Sequence, residues 1–155
     1  MTKKQPVNYA RRTAKYFNFW RKFFQNIVCK FWYGIQFKLM YRVEVEGKEN
    51  IPKDNKFIVC GNHLSSLDPF LVSFVMPKPV AFMAKKELFE SNDKRHHLIH
   101  LLGAFSVDRE KPEISTFKTV RDISQTDWPL GIFPEGGTRK NKKIGNAKLW
   151  YIEPL

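Results

Sequence analysis

The spacing of apolar residues changes character twice along the chain. Between Tyr9 and Val43, the residues Tyr16, Trp20, Phe23, Phe24, Ile27, Val28, Phe31 and Ile35 recur at three- and four-residue steps, the period of one helical face. Arg11, Arg12, Lys15, Arg21, Lys22, Lys30 and Lys38 interrupt that face, and no Asp or Glu precedes Glu44. A membrane-spanning helix needs ~20 mostly apolar residues, which this interrupted pattern does not supply. It predicts one or two aromatic, basic helices, with Gly34 as the expected break.

Beyond residue 42 the period shortens. Arg42-Val43-Glu44-Val45-Glu46 alternates and predicts a short strand, and residues 47–55 are turn-rich, so the division falls into residues 1–43 and residues 44–155. Compact apolar runs follow at residues 56–61, 79–84, 103–109 and 130–133, each predicted as a strand, the first two as buried ones. Helices are predicted before Pro77 and, from Ile114, Phe117, Val120 and Ile123, between Pro112 and Trp128. Such alternation predicts an α/β fold, a sheet flanked by helices.

Composition gives the N-terminal helices a role. The chain has 27 Lys+Arg against 15 Asp+Glu, a formal charge of +12, with 15% aromatic residues in 155. That charge calls for an anionic partner, nucleic acid or membrane. Dense Phe and Trp beside Lys and Arg favour a water–lipid boundary, with Phe17, Trp20, Phe24, Phe31 and Trp32 as docking residues. A helix that packs into its own domain and solvates its basic face is the other reading. Nucleic acid is not expected as a partner, since no zinc-finger, RNP or helix-turn-helix pattern accompanies the charge. Two cysteines, Cys29 and Cys60, give no disulfide framework, and the N-terminus shows no secretory signal, so the expected place is the cytoplasmic face of a membrane.

Candidate chemistry lies where two of the predicted strands end. After the first comes Gly61-Asn62-His63-Leu64-Ser65-Ser66-Leu67-Asp68-Pro69-Phe70. Imidazole titrates at about 6.5, so His63 can accept a proton near neutral pH while Asp68 orients its ring. Alternatively Asp68 caps the following helix, with Ser65 and Ser66 as further caps and Pro69 at its first position, and His63 is a loop histidine. After the last strand, Pro134-Glu135-Gly136-Gly137-Thr138-Arg139-Lys140 offers paired glycines and positive charge, a pattern suited to phosphate. His96 and His100 share a helical face, but without an HExxH glutamate or nearby cysteines they are read as solvated histidines, and no metal is expected. Arg109 ends its strand either as an anion ligand or as a surface ion pair with Asp108 or Glu110.

Together, Asn62-His63-Leu64-Ser65-Ser66-Leu67-Asp68 and Phe133-Pro134-Glu135-Gly136-Gly137-Thr138-Arg139 resemble the His-x4-Asp and Phe-Pro-Glu-Gly-Thr-Arg blocks of the glycerolipid acyltransferases, in particular the 1-acyl-sn-glycerol-3-phosphate acyltransferases. Supporting blocks are Glu46-Gly47-Lys48-Glu49-Asn50-Ile51-Pro52, Ala84-Lys85-Lys86-Glu87-Leu88 and the segment from Gly103 to Arg109, so the likeness runs from about Val43 to Lys140. The resemblance implies transfer of a fatty acyl group from acyl-CoA or acyl carrier protein to the sn-2 hydroxyl of lysophosphatidate, giving phosphatidic acid without a cofactor. It implies His63 as general base and Asp68 as its orienting acid. Lys85, Arg109, Glu135, Gly136, Thr138 and Arg139 are the implied glycerol-phosphate site, main-chain amides near the helix start would hold the oxyanion, and the N-terminal helices match a two-helix membrane-docking element.

The chain departs from that family in two places. Gly136-Gly137 stands where one glycine is usual, with Lys140 where serine is common, which leaves the register of Thr138 and Arg139 open. Relatives continue where this sequence stops, and residues 146–155 do not match their continuation. The expectation is therefore a fold lacking its C-terminal part, with a catalytically inactive membrane-binding remnant as the alternative to an enzyme.

Overall fold

A computed structural model describes residues 8–54, 56–90, 95–108 and 113–138, with the main chain alone for Arg95 and His96. Its centre is a four-stranded sheet of β1 (Ile58–Cys60), β2 (Ala81–Lys85), β3 (Phe105–Val107) and β4 (Leu130–Ile132), in the order β1-β4-β2-β3 with every pairing parallel. Parallel neighbours need helical crossovers. These are α3 (Asp68–Val75), α4 (Glu87–Glu90) with α5 (Arg95–Leu101), and α6 (Ile114–Ile123). The β1 to β2 crossover runs one way across the sheet and the β3 to β4 crossover returns, so right-handed connections put α3 and α6 on opposite faces.

Two core clusters follow. On the α6 face Ala81, Phe105 and Leu130 meet Ile123, Trp128 and Phe17, and on the α3 face Val80, Phe82 and Phe133 meet Met76 and Val72. The order also inserts β4 between β1 and β2, so the loops after β1 and β4 leave the sheet side by side. In an open parallel sheet such a crevice, beyond the carboxyl ends where strand order reverses, is where ligands bind.

The N-terminal segment is helical from Phe19 to Leu39: α1 (Phe19–Asn26), a wider π-helical stretch (Ile27–Trp32) and α2 (Tyr33–Leu39). Gly34 therefore makes no break. Its hydrogen lets the Phe74 ring of α3 approach, since a Cβ there would stand 3.0 Å from Phe74 Cε2. The face turned inward is the less apolar one. Gln25 bonds both the N–H (2.8 Å) and the carbonyl (2.9 Å) of Val80 and also donates to Leu102 O at 2.6 Å. Cys29 is buried beside it, with its thiol pushed up to about 12 by burial, so it is a neutral packing group.

The apolar period points outward, so none of the described residues covers that face. Trp20, Phe31 and Trp32 are 72%, 67% and 65% exposed, and Phe19, Phe23, Phe24 and Ile27 share the surface. Phe17 is the correction among the expected docking residues. It precedes the helix, which starts after the Asn18 cap on Arg21 N–H, and at 5% exposure it packs against Trp128 at 5.5 Å. No helix among the described residues is long and apolar enough to cross a membrane.

Residues 42–46 form no strand, a second correction. Arg42 takes φ 49, which breaks an extended run, and Val43 N–H bonds Phe37 O at the helix end rather than a neighbouring strand. At the far edge of the sheet Tyr9 O accepts from Ser106 N–H, so the N-terminal chain covers β3. β1 is the opposite outer strand, with Ile58 and Cys60 exposed.

Candidate active site

The chain leaving β1 donates Gly61 N–H to Ile132 O and reaches His63 alongside the chain leaving β4. Asp68 opens α3, yet its carboxylate does not cap that helix. Oδ2 accepts backwards, from Leu64 N–H at 2.7 Å and Ser65 N–H at 2.8 Å, and lies 3.0 Å from His63 Nδ1. The helix cap position is Leu67, which has no side-chain cap, and Ser65 Oγ accepts Leu67 N–H within the loop. The capping alternative for Asp68 is therefore set aside.

This network assigns the histidine tautomer. An ionised carboxylate only accepts, and this oxygen already takes two main-chain N–H groups, so Nδ1 must donate and Nε2 of the neutral ring keeps its lone pair. Nε2 makes no hydrogen bond among the described residues and is not a buried unsatisfied atom, so it is open to a reactant. His63 and Asp68 retain only 17% and 18% side-chain exposure, which keeps their pairing from being diluted by solvent.

Two residues of the β4 loop hold His63 from other directions. Phe133 stacks on the imidazole with centroids 4.3 Å apart and planes 20° apart, and itself stacks on Phe82 at 5.6 Å. Glu135 is buried and accepts the His63 main-chain N–H at 2.9 Å through Oε1. The carboxylate expected to hold glycerol phosphate thus commits one oxygen to fixing the catalytic loop. Gly136, at φ 70, donates its N–H to Phe133 O and closes the turn, a conformation that favours glycine. Of the Gly136-Gly137 pair, only Gly136 has a positive φ.

The other expected site residues divide by position. Lys85 ends β2, and the register Phe82↔Gly131 puts it level with Pro134 at the same sheet edge. Thr138 is exposed beyond the turn, and Arg109 and Arg139 lie outside the described residues. The amides of Leu64, Ser65, Leu67, Asp68 and Phe70 already donate to internal acceptors, so the oxyanion role expected of amides near this helix start does not fall to them. Among the described residues no group of three or more His, Cys, Asp and Glu could hold a metal ion. The His100 ring instead packs edge-on against Tyr16 at 5.4 Å and Tyr9 at 6.0 Å.

A histidine paired with a carboxylate thus stands past the carboxyl ends of a parallel sheet, braced by a glutamate-containing turn. The chain belongs to the acyltransferase family, whose model matches residues 42–149. It is 35% identical over 103 residues to the 1-acyl-sn-glycerol-3-phosphate acyltransferase of Bacillus subtilis (strain 168), covering 66% of this chain and 51% of that protein. It is 36% identical over 104 residues to the protein of the same name from Streptococcus pneumoniae, covering 65% and 39%. To the human 1-acyl-sn-glycerol-3-phosphate acyltransferase alpha it is 30% identical over 116 residues, covering 72% and 38%. The chain thus spans about half or less of the length of these relatives. No solved structure matches it.

Proposed function

We propose that the chain carries the acyl-transfer site of a 1-acyl-sn-glycerol-3-phosphate acyltransferase. In this reading His63 Nε2 takes the proton of the sn-2 hydroxyl of lysophosphatidate as that oxygen attacks the thioester carbonyl of acyl-CoA or acyl carrier protein. The tetrahedral intermediate collapses, the carbon–sulfur bond breaks, and the imidazolium returns the proton to the departing thiolate, leaving phosphatidic acid and free thiol. Asp68 stabilises the imidazolium between these steps, and Phe133 and Glu135 fix the ring and its main chain. The observation that carries this reading is the 3.0 Å Nδ1 to Asp68 contact on an oxygen already holding two amides, which frees Nε2 for the proton.

Lys85, together with Arg109 and Arg139, supplies the positive charge for the substrate phosphate. The outward face of α1, the π-helical stretch and α2 docks on the cytoplasmic surface of an anionic membrane, its rings in the acyl boundary and its basic residues at the phosphates. Support comes from the exposed Trp20, Phe24, Phe31 and Trp32, and such docking would keep both lipids in the bilayer. The test supplies labelled acyl donor and lysophosphatidate in vesicles and compares the chain with His63→Ala. Turnover lost in the variant supports the reading, whereas equal background rates in both, with vesicle binding retained, leave an inactive membrane-binding chain.

A further inference from the structure

Three guanidinium nitrogens are buried without an acceptor: Nε and Nη2 of Arg12 and Nε of Arg21. Arg12 is 8% exposed, and its guanidinium carbon lies 5.2 Å from the centre of the Tyr9 ring and 4.5 Å from that of Tyr16. The guanidinium of Arg21 lies 3.9 Å from the same Tyr16 ring. Among the described ion pairs, Arg11 takes Asp122, Lys22 takes Asp127, and Lys86 takes Glu90 and Asp108, and no described carboxylate pairs with Arg12 or Arg21.

The main chain holds this arrangement in place. Arg12 N–H donates to Thr119 Oγ1 at 2.7 Å, that hydroxyl donates to Ala10 O at 2.6 Å, and Arg11 Nη1 donates to Arg12 O at 2.6 Å. The Tyr16 hydroxyl donates to His100 O. Burial lowers the pKa of Arg12, and the charge of Arg21 lowers it further, yet a guanidinium stays protonated in a protein. The two like charges share the Tyr16 ring and its hydroxyl, and the three nitrogens left without an acceptor are costly until an anion supplies them. A planar guanidinium fork matches the oxygens of a phosphate.

We propose that Arg12 and Arg21 form a binding site for a phosphate-class oxyanion around the Tyr16 ring. It lies apart from the active site: the Tyr16 hydroxyl bonds the chain just before β3, at the amino ends of the strands, whereas His63 and Glu135 stand past the carboxyl ends. The oxyanion comes either from a soluble phosphate or from the headgroup of an anionic lipid. Arg21 follows Trp20 on α1, at the rim of the outward apolar face, where lipid phosphates would lie.

The test uses the full chain with Arg12→Met, Arg21→Met and, as a charge control on an exposed neighbour, Lys15→Met. Thermal unfolding is followed in inorganic phosphate and in chloride at matched ionic strength, because a ligand of the folded state raises Tm by mass action. Phosphate is expected to raise Tm of the unmodified chain and of Lys15→Met, with apparent affinity roughly tenfold weaker in either arginine variant. Should Arg12→Met fail to fold, Arg21→Met, at a partly exposed position, carries the comparison. A parallel arm sediments each protein with phosphatidylcholine vesicles with and without phosphatidate. Loss of phosphatidate-dependent binding in Arg21→Met beyond that in Lys15→Met assigns the site to lipid headgroups, and a phosphate response without that loss assigns it to soluble phosphate. Equal phosphate responses in all proteins would overturn the site.

Discussion

Aromatic rings sit beside ionisable groups in two regions of this molecule, and they do opposite things there. At the carboxyl edge of the sheet Phe133 lies flat on His63 while Asp68 and Glu135 fix the ring and its main chain from separate directions. On the outward side of α1 and α2, Trp20, Phe24, Phe31 and Trp32 stand in solvent beside basic residues. In the first region each contact removes a freedom of one side chain, so the protein completes its own environment. In the second the rings stay uncovered by the described residues. The same residue types thus close on each other at one end of the sheet and stay exposed on the helices.

The comparison breaks first at the base. His63→Ala is expected to lower acyl transfer roughly 100- to 10,000-fold, the range of a general base, while leaving vesicle binding intact. Asp68→Asn comes next, with a loss of about 100-fold. The amide can still accept from Leu64 and Ser65 N–H, but it no longer stabilises the imidazolium. The measurement is turnover at saturating donor, where a loss in kcat rather than in KM separates an orienting acid from a substrate contact.

Gln25→Ala tests how α1 is tied to the sheet. It strands Val80 N–H and two carbonyls in the core and is expected to cost about 2 kcal/mol of stability by denaturant unfolding. The smallest effect on the fold belongs to Trp20→Ser. At an exposed position stability is expected to change by under about 0.5 kcal/mol. Sedimentation with anionic vesicles is expected to weaken roughly tenfold and to weaken further with salt. If Trp20→Ser unfolded the chain while vesicle binding survived, the two regions would not differ in the way described.

Much of this was legible in the chain. Each of the four sheet strands overlaps an apolar run that predicted it, with β2 reaching one residue further to Lys85, because inner strands of a parallel sheet covered on both faces bury both sides. The pairing of His63 with Asp68 was legible too, since a short loop before a helix brings side chains five apart together. What period could not tell was direction. A three-to-four spacing marks a face without saying whether the fold covers it, and here Gln25 and Cys29 face inward while Trp20 and Phe24 face out. Phe17 shows the same gap, because one residue before a capped helix start the chain turns it into the core.

The contacts that brace His63 were hidden for a different reason. Glu135 reaches His63 N–H across 72 positions of sequence, and only the insertion of β4 beside β1 makes them neighbours. Sequence spacing carries no trace of that strand order. The motif likeness singled out Glu135 and Phe133, but it gave Glu135 a substrate to hold rather than a main-chain amide.

Asp68 fixes the neutral His63 ring with its proton on Nδ1 and its lone pair on Nε2. Nitrogen-15 spectra of the labelled imidazole read this directly, through the distinct shifts of protonated and unprotonated ring nitrogens. For the neutral ring the expected result is a protonated Nδ1 and an unprotonated Nε2, with the preference weakened in Asp68→Asn. A neutral ring carrying its proton on Nε2 would contradict the account, since the nitrogen assigned to take the hydroxyl proton would already hold one.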